Sequence, residues 1–124
     1  MKSLTLIPIS LLFFLPFVAF NQSSGIDAAL NKGNAAELGV FFAEKVDVSI
    51  LENDTYVPSG DAVQQLSGFF SQNAVKSYKR IHLTTPADGR SSYSLGDLST
   101  STGNYRIYLY YDAKQKISEI RIEK

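Results

Sequence analysis

The hydrophobic residues of the segment 33–50 change their spacing halfway along it. Its first half places apolar residues at helical intervals, at Ala35, Leu38, Phe41 and Phe42. Its second half alternates apolar and polar residues, with Val46, Val48 and Ile50 as the apolar set. A period near 3.6 residues is typical of an amphipathic helix, and a period of two is typical of a strand. The segment therefore predicts a helix capped by Asn34, which leads directly into a strand from about Val46 to Leu51.

Two further segments have a helical pattern and flank this helix and strand. The first helix starts at Ser24, which with Asp27 resembles a capping box, and it ends at Gly33. Its apolar face consists of Ile26, Ala29 and Leu30. The other helix follows Pro58 and ends near Asn73. Its apolar face consists of Ala62, Val63, Leu66, Phe69 and Phe70, with polar residues opposite.

The second half of the chain has no helical period and is rich in Tyr, Ile, Val and Thr, which favour strands. Four strands are predicted there, over residues 75–84, 91–98, 105–112 and 117–123. Turn residues separate them, at Pro86, Asp88 and Gly89, at 99–103, and at Lys114 and Gln115. Earlier in the chain, residues 52–55 are predicted as a turn, and Tyr56 and Val57 pair only briefly. The result is a sheet of five strands.

The last hairpin has a register that follows from its side chains. Pairing Asp112 with Ile117 gathers four apolar side chains on one face, as the opposed pairs Leu109 with Ile120 and Ile107 with Ile122. The other face then has the aromatic and charged residues Arg106, Tyr108, Tyr110, Glu119, Arg121 and Glu123. In the preceding strand, we predict that Tyr93 and Leu95 point inward. The alternate residues there are Ser92, Ser94 and Gly96, which have almost no apolar surface to bury.

The predicted order of elements is helix, helix, strand, helix and four antiparallel strands. It gives an α+β domain with helices packed on one face of a curved, mainly antiparallel sheet. This order resembles the NTF2-like fold, or cystatin-like cone, in which strands wrap around helices and leave a pocket. A closer resemblance, to the DUF4783 family of small exported Bacteroidetes proteins, rests on the stretches GNAAELGVFFAEKVDVSI, GFFSQN, HLTT, YSLGDLST, GNYRIYLYYD and ISEIRIEK. It implies this fold and an export route, and it implies no activity, because that family's function is unknown.

Residues 1–24 differ in composition from the rest of the chain. Lys2 precedes an uncharged apolar run that reaches Phe20, and polar residues follow it. This layout is typical of a secretory signal peptide, cleaved somewhere in 19–25, and it predicts an exported protein of the periplasm or the cell exterior. The alternative is an uncleaved membrane anchor, for which the run is slightly short and contains Pro8 and Pro16. After cleavage, we expect residues 25–124 to form a single domain that makes no membrane contact.

Charge and cysteine content narrow the range of partners and of chemistry. The chain has 12 basic and 12 acidic residues, so its net charge gives no electrostatic reason to expect nucleic acid as a partner. It has no cysteine, so an exported form must rely on an apolar core rather than on disulfides. The sequence has no nucleophile motif, phosphate loop or metal-ligand cluster, and we predict no cofactor and no metal.

Few residues are available for a catalytic role. His82 is the only histidine, and it points outward if its two neighbours in the strand face the core. Enzymes of NTF2-like fold place Asp or His with Tyr inside the cone, and the matching candidates by resemblance are Asp47, Asp97, Tyr93 and Tyr105. Alternation places Asp47 toward solvent, and Asp97 has a simpler explanation as an ion-pair partner of Arg106. An isomerase or dehydratase type of enzyme, with His82 or an acid in the pocket, is the alternative hypothesis.

Tyrosine is concentrated in the strand 105–112, which contains four of the seven tyrosines. Tyr and Arg are favoured at protein interfaces, but Tyr also has a high strand propensity, so both interpretations are open. The candidate ligand or interface residues are His82, Tyr93, Tyr105, Arg106, Tyr108, Tyr110 and Arg121. We expect an exported, non-catalytic domain that binds a small-molecule ligand in the cone pocket or a protein through this sheet face. A second copy of the chain is one such protein, and it would give a homodimer.

Overall fold

The computed structural model describes residues 22–84 and 92–124, which form three helices and a six-stranded sheet. The helices are α1 (Gln22–Lys32), α2 (Ala35–Gly39) and α3 (Ser59–Gln72). The strands are β1 (Phe42–Ile50), β2 (Asn53–Pro58), β3 (Val75–Thr84), β4 (Tyr93–Thr100), β5 (Gly103–Tyr111) and β6 (Ile117–Glu123). Residues 1–21 of the predicted signal peptide (1–24) lie outside the described residues, as does the reversal predicted at Pro86, Asp88 and Gly89. Within residues 22–84 and 92–124, no helix is long and apolar enough to cross a membrane.

The strands form one curved sheet in the order β2-β1-β6-β5-β4-β3. Neighbouring strands are antiparallel, except that β1 and β6 run parallel. The helices contribute to a single apolar core with the inner face of this sheet. The predicted α+β fold, with helices on one face of a curved and mainly antiparallel sheet, is therefore confirmed.

The sheet has six strands rather than the predicted five, because β2 is a full strand. Residues 53–58 pair with β1, so that only Leu51 and Glu52 form the connecting turn. The sequence was misleading here because Asn53 and Asp54 are residues that favour turns. They are tolerated in a strand because β2 is an exposed edge strand, whose side chains have little packing to satisfy.

The boundary between α2 and β1 also differs from the prediction. Asn34 caps α2 as predicted, with its Oδ1 accepting a hydrogen bond of 3.0 Å from an amide in the first turn. The helix nevertheless ends at Gly39, and Phe42, predicted as helical, is the first residue of β1. The amide of Ile117 in β6 donates to the carbonyl of Phe41 at 2.8 Å, so pairing with β6 extends the sheet toward the helix. Phe42 is buried all the same, which is why its spacing also fits a helix.

Helix α1 begins before the predicted cap. Its first residue is Gln22, so Ser24 lies inside the helix and does not form a capping box with Asp27. The carboxylate of Asp27 binds Arg80 of β3 instead, at 2.8 Å. At the other end, Gly33 has a φ of +66°, a left-handed conformation that suits glycine and that ends the helix as predicted.

The β5–β6 hairpin has the predicted register over most of its length. The predicted pairs are both present, Ile107 with Ile122 and Leu109 with Ile120. All four side chains are fully buried. Near the turn the register shifts, and Ile117 lies opposite Tyr111 rather than Asp112. The prediction of an apolar inner face and a polar, aromatic outer face for these strands is confirmed by their burial patterns.

The predicted orientation of β4 is wrong. The buried residues of this segment are Ser92, Ser94, Gly96, Leu98 and Thr100. Tyr93 and Leu95, predicted to point inward, are half-exposed on the outer face. The inner face requires small residues here because tyrosine side chains from neighbouring strands lie over them. A Cβ atom on Gly96 would lie 2.4 Å from the hydroxyl oxygen of Tyr78, so only glycine fits. The strand also continues to Thr100, which shortens the predicted turn at 99–103.

Candidate functional site

Six of the seven predicted site residues lie on the outer face of the sheet, away from the helices. They come from the four adjacent strands β3 to β6 and are His82, Tyr93, Arg106, Tyr108, Tyr110 and Arg121. Cross-strand partners share a face, and the pairing of Tyr93 with Tyr110 and of Tyr108 with Arg121 brings these residues together. Leu95 belongs to the same surface, because it lies opposite Tyr108. We call these seven residues the outer patch.

The centre of the outer patch is aromatic. The rings of Tyr93 and Tyr110 stack, with centroids 5.7 Å apart and an angle of 25° between planes. The imidazole of His82 also contacts Tyr93, with 5.7 Å between ring centroids. Leu95 and Tyr108 form the next cross-strand pair along these strands. Each of these side chains is half-buried or exposed, so ring and aliphatic surface is accessible to a partner.

Ion pairs border this aromatic centre. Arg106 lies 3.0 Å from a carboxylate oxygen of Asp97, the ion pair expected from the sequence. Arg121 approaches two carboxylates, at 3.6 Å from Glu119 and 3.1 Å from Glu123. A hydrogen bond to Asp97 raises the pKa of Arg106, and one to Glu123 raises the pKa of Arg121. The border of the outer patch thus consists of paired charges of both signs on neighbouring strands.

His82 lies outside the cone. Its side chain is exposed, and its Nε2 is 2.9 Å from the hydroxyl oxygen of Thr84. Its neighbours do not face the core, since Ile81 is 50% exposed and Leu83 is 40% exposed. The register of β3 shifts between Arg80 and His82, and this bulge breaks the simple alternation. The enzyme hypothesis requires a histidine or an acid inside the cone. Three of its candidates face outward instead, namely His82, Asp47 and Asp97.

Tyr105 is the exception among the predicted site residues, because it points inward. Its ring meets Phe69 of α3 edge to face, with centroids 5.2 Å apart and planes at 84°. Its hydroxyl lies 3.0 Å from Thr102 Oγ1 and donates to Asn73 Oδ1 at 3.3 Å. The ammonium group of Lys124 lies 5.1 Å from the ring centroid. Tyr105 therefore closes one end of the core, between α3 and the sheet.

A cluster of polar side chains between α1 and the strands β3 to β5 has no counterpart among the sequence predictions. We call Asp27, Tyr78, Arg80, Ser94 and Tyr111 the inner polar cluster. Asp27 and Arg80 form an ion pair at 2.8 Å, and Ser94 and Tyr111 share a hydrogen bond of 3.0 Å. The hydroxyl of Tyr78 is buried, and it has no hydrogen-bond partner among the described residues. The sequence held one signal for this cluster, because the small residues of β4 leave room for large side chains from its neighbours.

Burial sets the protonation of the inner polar cluster. It raises the pKa of the Asp27 carboxyl more than the charge of Arg80 lowers it. Burial also raises the pKa of Tyr78 and of Tyr111, and the charge of Asp27 acts in the same direction on both. Both phenols are therefore uncharged near neutral pH, and of the two only Tyr111 has a hydrogen-bond partner among the described residues, Ser94.

The described residues offer little to a metal ion or a cofactor. Residues 22–84 and 92–124 contain no group of three or more His, Cys, Asp or Glu side chains that could hold a metal. The interior of the cone is filled with fully buried apolar side chains, among them Leu30, Leu38, Leu66, Ile107 and Leu109. What the outer patch offers chemically is ring contact, hydrogen bonding and ion pairing, which are the interactions of a binding surface.

Comparison with known proteins gives related structures. A DUF4783 family protein from Bacteroides uniformis is 30% identical, with a TM-score of 0.78 over 84% of this chain and 97% of that one. A DUF4783 family protein from Bacteroides fragilis is 34% identical, with a TM-score of 0.73 over 81% of this chain and 95% of that one. An NTF2-like protein of unknown function from Cytophaga hutchinsonii shares the fold alone, at 12% identity and a TM-score of 0.57 over 81% of this chain and 83% of that one. No curated protein matches the chain.

The sequence itself matches a protein family. The matching family model has the description "Domain of unknown function (DUF4783)", and it covers residues 23–123. This match and the Bacteroides structures agree with the resemblance seen in the sequence, and the similar folds agree with an NTF2-like cone. The chain therefore belongs to the DUF4783 family.

Proposed function

We propose that this protein is an exported, non-catalytic binding domain whose outer patch joins it to a second copy of itself. The observation that carries the proposal is the row formed by His82, Tyr93 and Tyr110, an accessible aromatic surface on rigid strands. Aromatic residues and Arg are enriched at the centres of protein interfaces, where charged side chains without partners are depleted. In the outer patch the arginines are already paired, so a partner can cover them without leaving a charge unpaired.

The charge pattern of the outer patch favours a second copy of this chain over an unrelated partner whose surface carries charge of only one sign. Arg106 and Arg121 alternate with Asp97, Glu119 and Glu123 across the face, so basic and acidic groups are close to balance. In a dimer with two-fold symmetry, each patch meets an identical patch. A surface of a single sign would repel its own copy, whereas a mixed surface can place opposite charges against each other.

The size of the face indicates how tight such a dimer should be. Four strands about 4.8 Å apart and about seven residues long span about 19 Å by 23 Å. The resulting area of about 440 Å² lies below the roughly 800 Å² that each partner buries in a standard interface. We therefore expect a weak, reversible dimer with a dissociation constant in the micromolar range.

Export is part of the proposal. The family match begins at residue 23, directly after the apolar segment whose layout is typical of a signal peptide. Cleavage between residues 19 and 25 would release the domain into the periplasm or the cell exterior. The mass of the protein recovered from cells would give its N-terminus, and an intact Met1 would contradict cleavage.

Sedimentation velocity on residues 23–124 tests the dimer. We expect a monomer at low micromolar concentration and a rising fraction of dimer toward high micromolar concentration. Tyr108→Glu places a carboxylate within the patch and should weaken association at least about tenfold. Tyr56→Glu is the matched control, because Tyr56 is 64% exposed on β2 and lies outside the outer patch. A protein that is monomeric throughout this range, or a dimer that Tyr108→Glu leaves unchanged, would contradict the proposal.

A further inference from the structure

A cleft opens beside Tyr105, at the end of the cone where the turn between β1 and β2 approaches α3. Its volume is about 410 Å³, which is within the range of small-molecule sites. Its lining residues are Ile50, Leu51, Asn53, Gln65, Phe69, Gln72, Asn73 and Tyr105. This lining contains four carboxamide side chains and no charged one. The cleft does not overlap the outer patch, which lies on the opposite face of the sheet.

The carboxamides of this cleft have hydrogen-bonding capacity to spare. Gln65 and Gln72 lie on one side of α3, seven residues apart, with Phe69 between them. Gln65 uses only its carbonyl oxygen, which accepts from the hydroxyl of Thr55 at 3.1 Å. Among the described residues, Gln72 and Asn53 show no side-chain hydrogen bond. Each free carboxamide can both donate and accept, as a ligand hydroxyl or amide also does.

The fourth carboxamide holds the floor of the cleft in place. Asn73 donates to the carbonyl of Phe69 at 2.8 Å and accepts from the hydroxyls of Tyr105 and Thr102. Since Phe69 and Tyr105 also pack edge to face, these groups form a rigid apolar floor beneath the free amides. A rigid floor lowers the entropic cost of binding, because the protein does not have to order itself around the ligand.

Leu51 gives the cleft an unusual rim. Its φ is +59°, in the left-handed region that glycine and asparagine tolerate and that strains a leucine. Its side chain is also 45% exposed, so the strain is not offset by full burial in the core. A two-residue hairpin loop requires a positive φ, and the pairing of β1 with β2 holds Leu51 in this conformation. This turn places the apolar Leu51 side chain at one edge of the cleft, and carboxamide groups form the other edge.

We infer that this cleft binds a neutral saccharide. A sugar ring presents hydroxyl groups around its edge and apolar C–H groups on its faces. The free amide groups of Asn53, Gln65 and Gln72 can form hydrogen bonds with the sugar hydroxyl groups. Leu51 and the apolar floor can pack against the C–H groups of the ring faces. A charged ligand would find no opposite charge in the lining and would lose its hydration without compensation. This site is independent of the proposed dimer, since it uses none of the residues of the outer patch.

Two-dimensional ¹H–¹⁵N NMR of residues 23–124 tests the inference with N,N′-diacetylchitobiose and maltose as probes. Both are neutral disaccharides, and they differ in their acetamide groups. At least one should cause saturable shifts of the Asn53, Gln65 and Gln72 side-chain amides, with millimolar affinity. Gln72→Ala should weaken that binding about two- to tenfold, the value of one hydrogen bond. Gln64→Ala is the matched control, because Gln64 is an exposed glutamine of the same helix that does not line the cleft.

A second variant separates binding from folding. Leu51→Asn introduces a residue that tolerates positive φ and removes the apolar rim, so its melting temperature should equal or exceed that of the parent. Its affinity for the probe should nevertheless fall about threefold or more. Saturable binding of neither disaccharide, or binding that Gln72→Ala and Leu51→Asn leave unchanged, would overturn the inference. Sedimentation of the same variants should show unaltered association, which keeps this test distinct from that of the outer patch.

Discussion

The two faces of strand β5 present tyrosines under opposite conditions. Tyr105 and Tyr111 point inward, are buried, and have hydroxyls bonded to side chains of other elements. Tyr108 and Tyr110 point outward and are half-exposed, and Tyr110 stacks on the neighbouring strand. Tyrosine thus occurs both in the core and on the surface of a single strand. Because successive side chains of a strand point to opposite faces, the position of each tyrosine along β5 determines which environment it has.

The tyrosines of the inner face are constrained by the residues packed around them, and those of the outer face are much less so. On the inner face, each tyrosine requires a small residue on β4 beneath it or a polar partner for its hydroxyl. On the outer face, the rings have only lateral neighbours and an open side. Inner substitutions should therefore change the free energy of unfolding, and outer ones should change association while leaving the fold intact.

The strongest test of this contrast concerns Gly96. In Gly96→Ala, the new methyl group would lie 2.4 Å from the Tyr78 hydroxyl oxygen and 2.6 Å from the carbonyl oxygen of Lys79. Because the carbonyl belongs to the backbone, little can move, and we expect a loss of about 3 kcal/mol in the free energy of unfolding, measured with urea. Gly68→Ala is the control, since nothing lies within 4 Å of its new methyl group and the change should stabilise α3 by about 1 kcal/mol. Equal stability of the two variants would show that Tyr78 does not cover β4.

Three Tyr→Phe variants make a finer comparison. Tyr111→Phe should lower the free energy of unfolding by about 1–2 kcal/mol, because the buried Ser94 hydroxyl loses its partner. Tyr78→Phe should leave it unchanged or raise it by up to about 1 kcal/mol, since this hydroxyl is buried without a partner in the described residues. Tyr110→Phe, on the outer face, should change it by less than about 0.5 kcal/mol. A loss in Tyr78→Phe as large as that in Tyr111→Phe would reveal a buried partner, such as a water molecule.

The smallest effect concerns the pH dependence of stability through Asp27. Burial raises the pKa of its carboxyl in the folded protein above the unfolded value of 3.8, so the folded state keeps this proton to a higher pH. The stability that Asp27 contributes is therefore fully present below pH 3.8 and is lost as the pH rises through the folded-state pKa. Urea unfolding at several pH values should show the free energy of wild type, relative to Asp27→Asn, falling toward neutral pH. A relative stability that rises with pH would mean that attraction to Arg80 outweighs burial.

Local patterns predicted most of the fold. Alternation was enough for the two faces of β5 and β6, and capping by Asn34 and the left-handed Gly33 set the ends of the first two helices. These signals are local because they depend on the backbone and on near neighbours in sequence. The same alternation placed Tyr108, Tyr110, Arg106 and Arg121 on one face, and these four of the seven candidate site residues lie together there.

The orientation of β4 could not be read from its own composition. An apolar pattern assumes that large residues are buried, whereas Gly96 and Ser94 are buried because side chains from other strands cover them. Pairing between strands held the missing information. Tyr93 lies opposite Tyr110, which alternation already placed outside, and cross-strand partners share a face.

The candidate sites away from the outer patch required contacts between distant segments. The ion pair of Asp27 with Arg80 joins α1 to β3 across 53 residues of sequence. The amide-lined cleft combines a hairpin turn, the exposed side of α3 and the start of β5. These sites arise from the packing of whole helices and strands against each other. The local spacing of apolar and polar residues in the sequence does not predict them.

The parallel pairing of β1 with β6 determines when the domain can fold. Val48 of the first strand lies opposite Ile120 of the last, so the middle of the sheet joins segments from opposite ends of the domain. On a ribosome or in a translocation channel, β1 and β2 have no sheet to join until β6 emerges, because long-range pairing must wait for its partner. The six-stranded sheet is therefore incomplete until β6 is available to join β1 to β5. For a protein exported as we propose, this order of assembly would delay completion of the sheet until β6 has also passed through the channel.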